Sequence, residues 1–197
     1  EALSTNVFGG YSDEKHHYAL EVKLNNDGQA RLAFYSTLDG SISDESLGID
    51  NVKISGRKGW DDHYFVNETF DSGSASGWSN NTLTTTEYKE DSVREKFLGR
   101  FAGTSGNQGV SKTYNFGVQN AGKSVVITFD MYEIDSWDNE YFNVFVNNTK
   151  VVNEEMSLNT QTGQKLLEET NSFSGWGAEE VHQYELKATV DKNGNVK

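Results

Sequence analysis

The stretch YALEVKL, Tyr18 to Leu24, alternates apolar and polar residues, breaks at Asn25-Asn26-Asp27-Gly28, and resumes its alternation from Ala30 to Tyr35. A period of two sends successive side chains to opposite faces of an extended strand, so one face can be buried while the other stays wet. Short alternating runs separated by Gly, Asn, Asp and Ser recur along the chain, and a helical period of 3.6 is suggested only near Gly163 to Glu169. The pattern therefore predicts an all-β fold. The Asn-Asp-Gly break reads as the turn of a hairpin joining the first two runs. Further strands are expected at Ile49 to Ile54, Tyr64 to Phe70, Glu95 to Phe101, Ser111 to Phe116, Ser124 to Ile134, Tyr141 to Val146 and Tyr184 to Val190. Strands this short and this evenly spaced suggest a two-sheet antiparallel sandwich of jelly-roll, lectin-like type.

Composition bounds what such a sandwich can do. The 197 residues suffice for one domain with a real core, and an aromatic share of 12% argues against disorder. A formal charge of -13 repels nucleic acid and anionic membrane surfaces, and no apolar run of membrane-spanning length is present, so neither nucleic-acid binding nor membrane insertion is expected. No signal peptide is seen, and the chain is expected to be a soluble piece of something longer. Cysteine is absent, which removes disulfides, thiolate zinc sites and cysteine nucleophiles together. A surplus of carboxylates without disulfides points to calcium, which takes six to eight hard oxygen ligands. An acidic surface that merely keeps the chain soluble is the plainer alternative.

An internal similarity is also visible. HHYALEVKLNNDGQAR, residues 16–31, aligns without gaps on HQYELKATVDKNGNVK, residues 182–197, sharing His, Tyr, Leu and Gly and keeping the alternation. This favours duplicated modules over two unrelated hairpins.

The order FVNETFDSGSASGWSN, FLGRF, GVSKTY, ITFDMYEIDSWDNEYFNVFVN and FSGWGAEEVHQYELKATV resembles the jelly-roll modules of calcium-dependent RTX adhesins of Gram-negative bacteria. In that pattern a strand like SISDESLGIDNVKI closes the module. Here it stands at residues 41–54, ahead of the opening segment, so the chain is out of register: circularly permuted, or carrying the tail of a preceding copy. A single domain is expected over 1–197, with 1–58 supplying closing strands to a body at 64–197, because first and last strands of a jelly roll are neighbours and a short connection can join them in the opposite order. The resemblance implies a secreted, cell-surface, monomeric module of a larger adhesin. Its expected ligand is a peptide or protein C-terminus on another cell surface, captured with calcium. A glycan-binding module and a calcium-stiffened spacer are the alternatives.

The densest chemistry lies in FDMYEIDSWDNEYF, residues 129–142, which holds Asp130, Glu133, Asp135, Asp138 and Glu140. Glu133-Ile134-Asp135 resembles the catalytic strand of jelly-roll glycosidases such as laminarinases. Its third acid is Asp138 where that motif has Glu, and alternate residues of a strand stand about 7 Å apart, wider than the ~5–5.5 Å of retaining hydrolysis. No enzymatic activity is expected. Like charges this close raise one another's pKa unless a cation offsets them, so Asp130, Glu133, Asp135 and Asp138 are candidate calcium ligands. A second candidate set is Asp71 with Asp50 and Asn51 on adjoining strands, and Asp44 and Glu45 on the loop before them. Asp191-Lys192-Asn193-Gly194-Asn195 has the look of a loop site and reads better as a turn.

Trp137 and Trp176 fall in polar loops and, with Asp138 and Asn139, are the candidate ligand-binding residues. Trp78 is expected in the core, and Arg100, inside a hydrophobic strand, needs a carboxylate partner. His16, His17, His63 and His182 lack a ligand spacing and read as solvent or edge residues. Asn67-Glu68-Thr69 and Asn147-Asn148-Thr149 match the glycosylation sequon, which carries no weight for a bacterial surface protein.

Overall fold

A computed structural model describes residues 13–56, 64–86, 95–103, 109–157 and 183–186. The elements are strands β1 (Glu14–Lys23), β2 (Gln29–Ser36), β3 (Glu45–Gly56), β4 (Tyr64–Glu68), β5 (Leu83–Thr85), β6 (Lys96–Phe101), β7 (Gly109–Asn115), β8 (Ser124–Asp135), β9 (Asp138–Val146), β10 (Thr149–Ser157) and β11 (Gln183–Leu186), with one 3-10 turn at Val118–Asn120. They form two sheets. The larger runs β11-β1-β8-β3-β6-β5, with β4 also on β3, and the smaller runs β10-β9-β2-β7. All pairs are antiparallel except β1 with β11. The protein is an all-β sandwich.

Alternation explains the core. Tyr18, Leu20 and Val22 of β1 and Ile127, Phe129 and Met131 of β8 point from the larger sheet toward Leu32 and Phe34 of β2 and Phe142 and Val144 of β9. Tyr18 stacks on Phe129 at 4.9 Å, and Phe34 meets the same ring edge-on at 4.7 Å. Such pairs add about 0.5–1.5 kcal/mol each beyond their burial. Residues of the other parity in β8, Tyr132 and Ile134, pack with Phe97 as a separate cluster on the far face of the larger sheet.

β3 is the strand that ties the larger sheet together. One of its edges follows β8 from Glu45↔Asp135 to Gly56↔Val125, while the other meets β6 through Leu47–Ile49 and β4 through Val52–Ser55. The expected pairing of 47–54 with the strand beginning at Tyr64 is therefore observed. The bulge between Asp50 and Lys53 places Asn51 at φ 51.

One expectation about connectivity is corrected. β1 and β2 are both strands, yet they lie in different sheets, so the Asn25–Gly28 break is an arch across the sandwich and no hairpin turn. Asn25 Oδ1 accepts the N–H groups of Asp27 (3.0 Å) and Gln29 (2.8 Å), and the Asn25 N–H donates to Gln29 O at 2.9 Å, which closes the turn before the two strands part into different sheets. A hairpin does form between β9 and β10, where Asn147 and Asn148, at φ 49 and 66, make the two-residue turn and the second sequon has a structural use. The helical suggestion near Gly163 to Glu169 and the turn at Asp191–Asn195 lie outside the described residues.

Candidate metal centre

The acidic run of β8 is dispersed by strand geometry. Successive residues face opposite sides of the sheet, so Asp130 cannot share an ion with Glu133. Asp130 lies beside β1, where His17 Nδ1 stands 2.6 Å from Oδ1, Lys15 Nζ 3.0 Å from Oδ2, and the Asn51 amide donates to Oδ2 at 2.8 Å. Burial raises its pKa, but the His17 hydrogen bond and the charge and hydrogen bond of Lys15, with Asn51, outweigh it and hold the carboxyl below the usual range. Burial likewise depresses Lys15, and Asp130 more than restores it. Glu133 Oε2 is 2.9 Å from the buried His16 Nε2. Asp135 takes Arg100 at 2.5 Å, the carboxylate partner that a guanidinium inside a strand requires, and its own N–H donates to Asp13. The expectation of one calcium shared by Asp130, Glu133, Asp135 and Asp138 is thus corrected: Lys15 pairs with Asp130, Arg100 with Asp135, and Glu133 is hydrogen-bonded to His16.

Asp50, beside Asp130 on the far face, accepts the Asn51 N–H at 2.7 Å, whereas exposed Asp71 accepts the Lys96 N–H at 3.1 Å. Trp137 corrects the expectation of a displayed ring. It is 1% exposed, packed in the core, with its indole N–H donating to Ser46 O at 3.2 Å, because the β8–β9 connection crosses the end of the sandwich and carries the ring inward. Trp78 is buried as expected and donates to Glu68 at 2.8 Å. His17 is exposed, but His16 is buried in place of the expected edge position. Trp176, His63 and His182 lie outside the described residues.

What the fold does assemble is a cluster at one end of the sandwich. Asp39 from the β2–β3 loop, Glu45 at the start of β3 and Glu140 of β9 each bring a carboxylate oxygen within 4.8 Å of the others. The loops are locked together: Thr37 N–H donates to Tyr141 O at 3.0 Å, Tyr141 N–H to Thr37 Oγ1 at 2.8 Å, and Ser136 N–H to Asp44 O at 2.9 Å. Glu45 Oε1 accepts the N–H groups of Asp39 (2.8 Å) and Gly40, and Glu140 Oε2 accepts that of Asp138 at 2.6 Å. Asp44 is part of the same crowd, since a Cβ at Gly40 would stand 2.8 Å from both Asp44 Oδ2 and Glu45 Oε1. Asp138 and Asn139 are exposed on the rim, with Asn139 at φ 98.

The electrostatics are those of crowded carboxylates. Burial pushes Glu45 up, partly opposed by the Gly40 and Asp39 N–H groups and reinforced by the charges of Asp39 and Asp44. Burial, the Asp138 carboxyl and the Glu45 charge bring Glu140 up to about 7 against the Asp138 N–H. Among the described residues none of Asp39, Glu45 and Glu140 has a basic partner. An all-oxygen donor set with unspent charge fits a hard divalent cation such as calcium, the rest of whose ligands would be carbonyls or water. Sequence reasoning picked out Glu45, Asp44 and Asp138 and noticed Glu140, but missed Asp39. The signal was Asp39-Gly40, a tight turn that aims two N–H groups at a carboxylate six residues on.

A second cluster, Glu14, His16 and Glu133, has its donor atoms within 4.8 Å, but the imidazole makes it a mixed set and His16–Glu133 is already a buried hydrogen-bonded pair. Separately, the outer face of the smaller sheet carries an open groove of about 580 Å³ lined by Arg31, Tyr35, Ser79, Ser111, Phe145 and Asn148 among others. The Arg31 guanidinium is oriented there by Asn148 (3.3 Å) and Ser111 (3.2 Å). Comparison with protein-family models, with curated proteins and with solved structures finds no match.

Proposed function

We propose that this sandwich is a calcium-dependent ligand-binding module of a bacterial cell-surface RTX adhesin, secreted and monomeric within a larger chain, that captures a peptide or protein C-terminus on another cell. The observation that carries the calcium part is the Asp39–Glu45–Glu140 cluster, three carboxylates held together with no basic partner among the described residues. Exposed Asp138 and Asn139 beside it are where a ligand carboxylate could meet a metal. The adhesin assignment rests on the sequence resemblance, and no catalytic role is assigned to any carboxylate.

A ligand bound only by the native state, at a hundredfold over its dissociation constant, adds about 2.7 kcal/mol, on the order of 5–10 °C in Tm for a chain of this size. Millimolar calcium should raise Tm by that much over chelator, and Glu45→Gln with Glu140→Gln should remove the increment. Equal melting in calcium and chelator overturns the metal reading. Peptides with free C-termini should bind the calcium-loaded protein and their amidated counterparts should not. The groove at Arg31, with Tyr35 and Phe145, favours a second reading, a glycan seated on an aromatic and polar sheet face. Calcium-independent binding on a glycan array, lost in Tyr35→Ala, would select it.

A further inference from the structure

β11 runs parallel to β1 in the register His17↔Gln183, Tyr18↔Tyr184, Ala19↔Glu185 and Leu20↔Leu186. This is the same offset that aligns residues 182–197 on 16–31 in sequence, so residues 183–186 lie beside their counterparts 17–20 without slippage. Carried two residues upstream, the alignment also matches Glu180 to Glu14. Glu, His, Tyr and Leu therefore recur at alternate positions, 14, 16, 18 and 20 against 180, 182, 184 and 186. Val22 and Leu24 are matched by the apolar Ala188 and Val190, and Gly28 by Gly194. The positions between them differ: Lys15 against Val181, His17 against Gln183, Ala19 against Glu185, Glu21 against Lys187.

In β1 the retained face is the inward one. His16 reaches Glu133, Tyr18 stacks on Phe129 and donates to Glu154 at 2.7 Å, and Leu20 and Val22 fill the core. The divergent positions of β1 are partly exposed or fully so. A segment that repeats the inward residues and none of the outward ones carries what the place beside β8 requires. Direction agrees too. β1 is antiparallel to β8 and parallel to β11, so residues 183–186 already run the right way to pair with β8 and stand at the right height, displaced sideways by one strand.

We propose that the strand at residues 183–186 is a second occupant of the place beside β8 that β1 fills, so that the chain can close its larger sheet with either strand. The exchange is a lateral step of one strand spacing with no change of register, in which Tyr184 would take the position of Tyr18 against Phe129. The copy that leaves is freed with its inward face intact.

The absence of native cysteine makes the exchange readable by disulfide trapping in the full chain. Ala19 pairs with Thr128 across β1–β8, so the double variant Ala19→Cys, Thr128→Cys should form an intrachain bond. Glu185 lies one strand further out, two spacings or about 9–10 Å from Thr128, past the ~7 Å beyond which a disulfide cannot close. Under slow thiol–disulfide equilibration, Glu185→Cys with Thr128→Cys should nonetheless trap as an intrachain disulfide on non-reducing electrophoresis. Adding Tyr184→Ala should reduce the trapped fraction several-fold. If the Ala19–Thr128 pair links and the Glu185–Thr128 pair does not, or links only between chains, the proposal is overturned; a trapped fraction indifferent to Tyr184→Ala overturns it equally.

Discussion

Asp50 shows how a single side chain can be worth more to the protein protonated than ionised. It is 2% exposed, and burial pushes it up to about 7; the Asn51 N–H and Lys15 pull it down, Glu95 and Asp130 push it further up. A carboxyl whose folded pKa exceeds its unfolded value of ~3.9 contributes stability that is complete below about pH 4 and lost as pH rises through about 7. Glu140 and Glu45 shift the same way, while Asp130 is shifted down and acts only at the acid end. In chelator, the stability of the parent relative to Asp50→Asn should therefore fall between about pH 5 and pH 8, because the amide has no proton to lose. A difference that grows with pH, measured by denaturant melts at each end, would contradict the shift. At this scale the sequence was partly legible. Arg100 announced its carboxylate and Trp78 its burial, since a charge or a large ring inside a strand has few options. Trp137 misled because polar neighbours in sequence say nothing about which way a crossing loop turns its ring.

The elements were legible where a period of two runs long enough to be counted, as in β1, β2, β3 and β8, but of their partners only β4 beside β3 was anticipated. A turn sequence reports that the chain reverses, whereas the sheet to which it returns depends on whether the flanking faces must pair or oppose. Asn25–Gly28 and Asn147–Asn148 look alike as turns, yet the first arches between sheets and the second closes the β9–β10 hairpin. The acidic run failed for the same reason: proximity in sequence is split by alternation, and the real cluster joins β2–β3, β3 and β9 across the end of the sandwich. The arch depends on Gly28, at φ 71, where a Cβ would stand 1.8 Å from the carbonyl oxygen of Gly117. Left-handed backbone alone costs an ordinary residue about 1–2 kcal/mol, and here a backbone clash is added, so Gly28→Ala should destabilise by at least about 2 kcal/mol. A chemical-denaturation midpoint unchanged from the parent would mean that the arch has another way to turn.

At the scale of the whole molecule the question raised by the inverted order of segments becomes one of topology. β1 stands between β11 and β8, β2 between β9 and β7, and β3 between β8 and the pair β6 and β4, so residues 14–56 supply three interior strands of the two sheets. They also supply Asp39 and Glu45, and with them two of the three clustered carboxylates. Removing 1–58 would leave the edge of β8 that faces β3 open, separate β9 from β7, and expose the inward faces of Phe129, Met131, Phe142 and Val144. The strand at 183–186 can at most replace β1, because the duplicated sequence contains no counterpart of β3. A sheet interrupted at its middle presents unpaired N–H and C=O rows beside apolar surface, which is a template for association between chains. The protein lacking 1–58 should therefore aggregate or remain unfolded, and refolding in millimolar calcium should not restore it. A truncated chain that stays monomeric in sedimentation, melts at the parent temperature and binds calcium with the parent stoichiometry would show that 14–56 belong to a neighbouring copy, and Asp39 and Glu45 would leave the site with them.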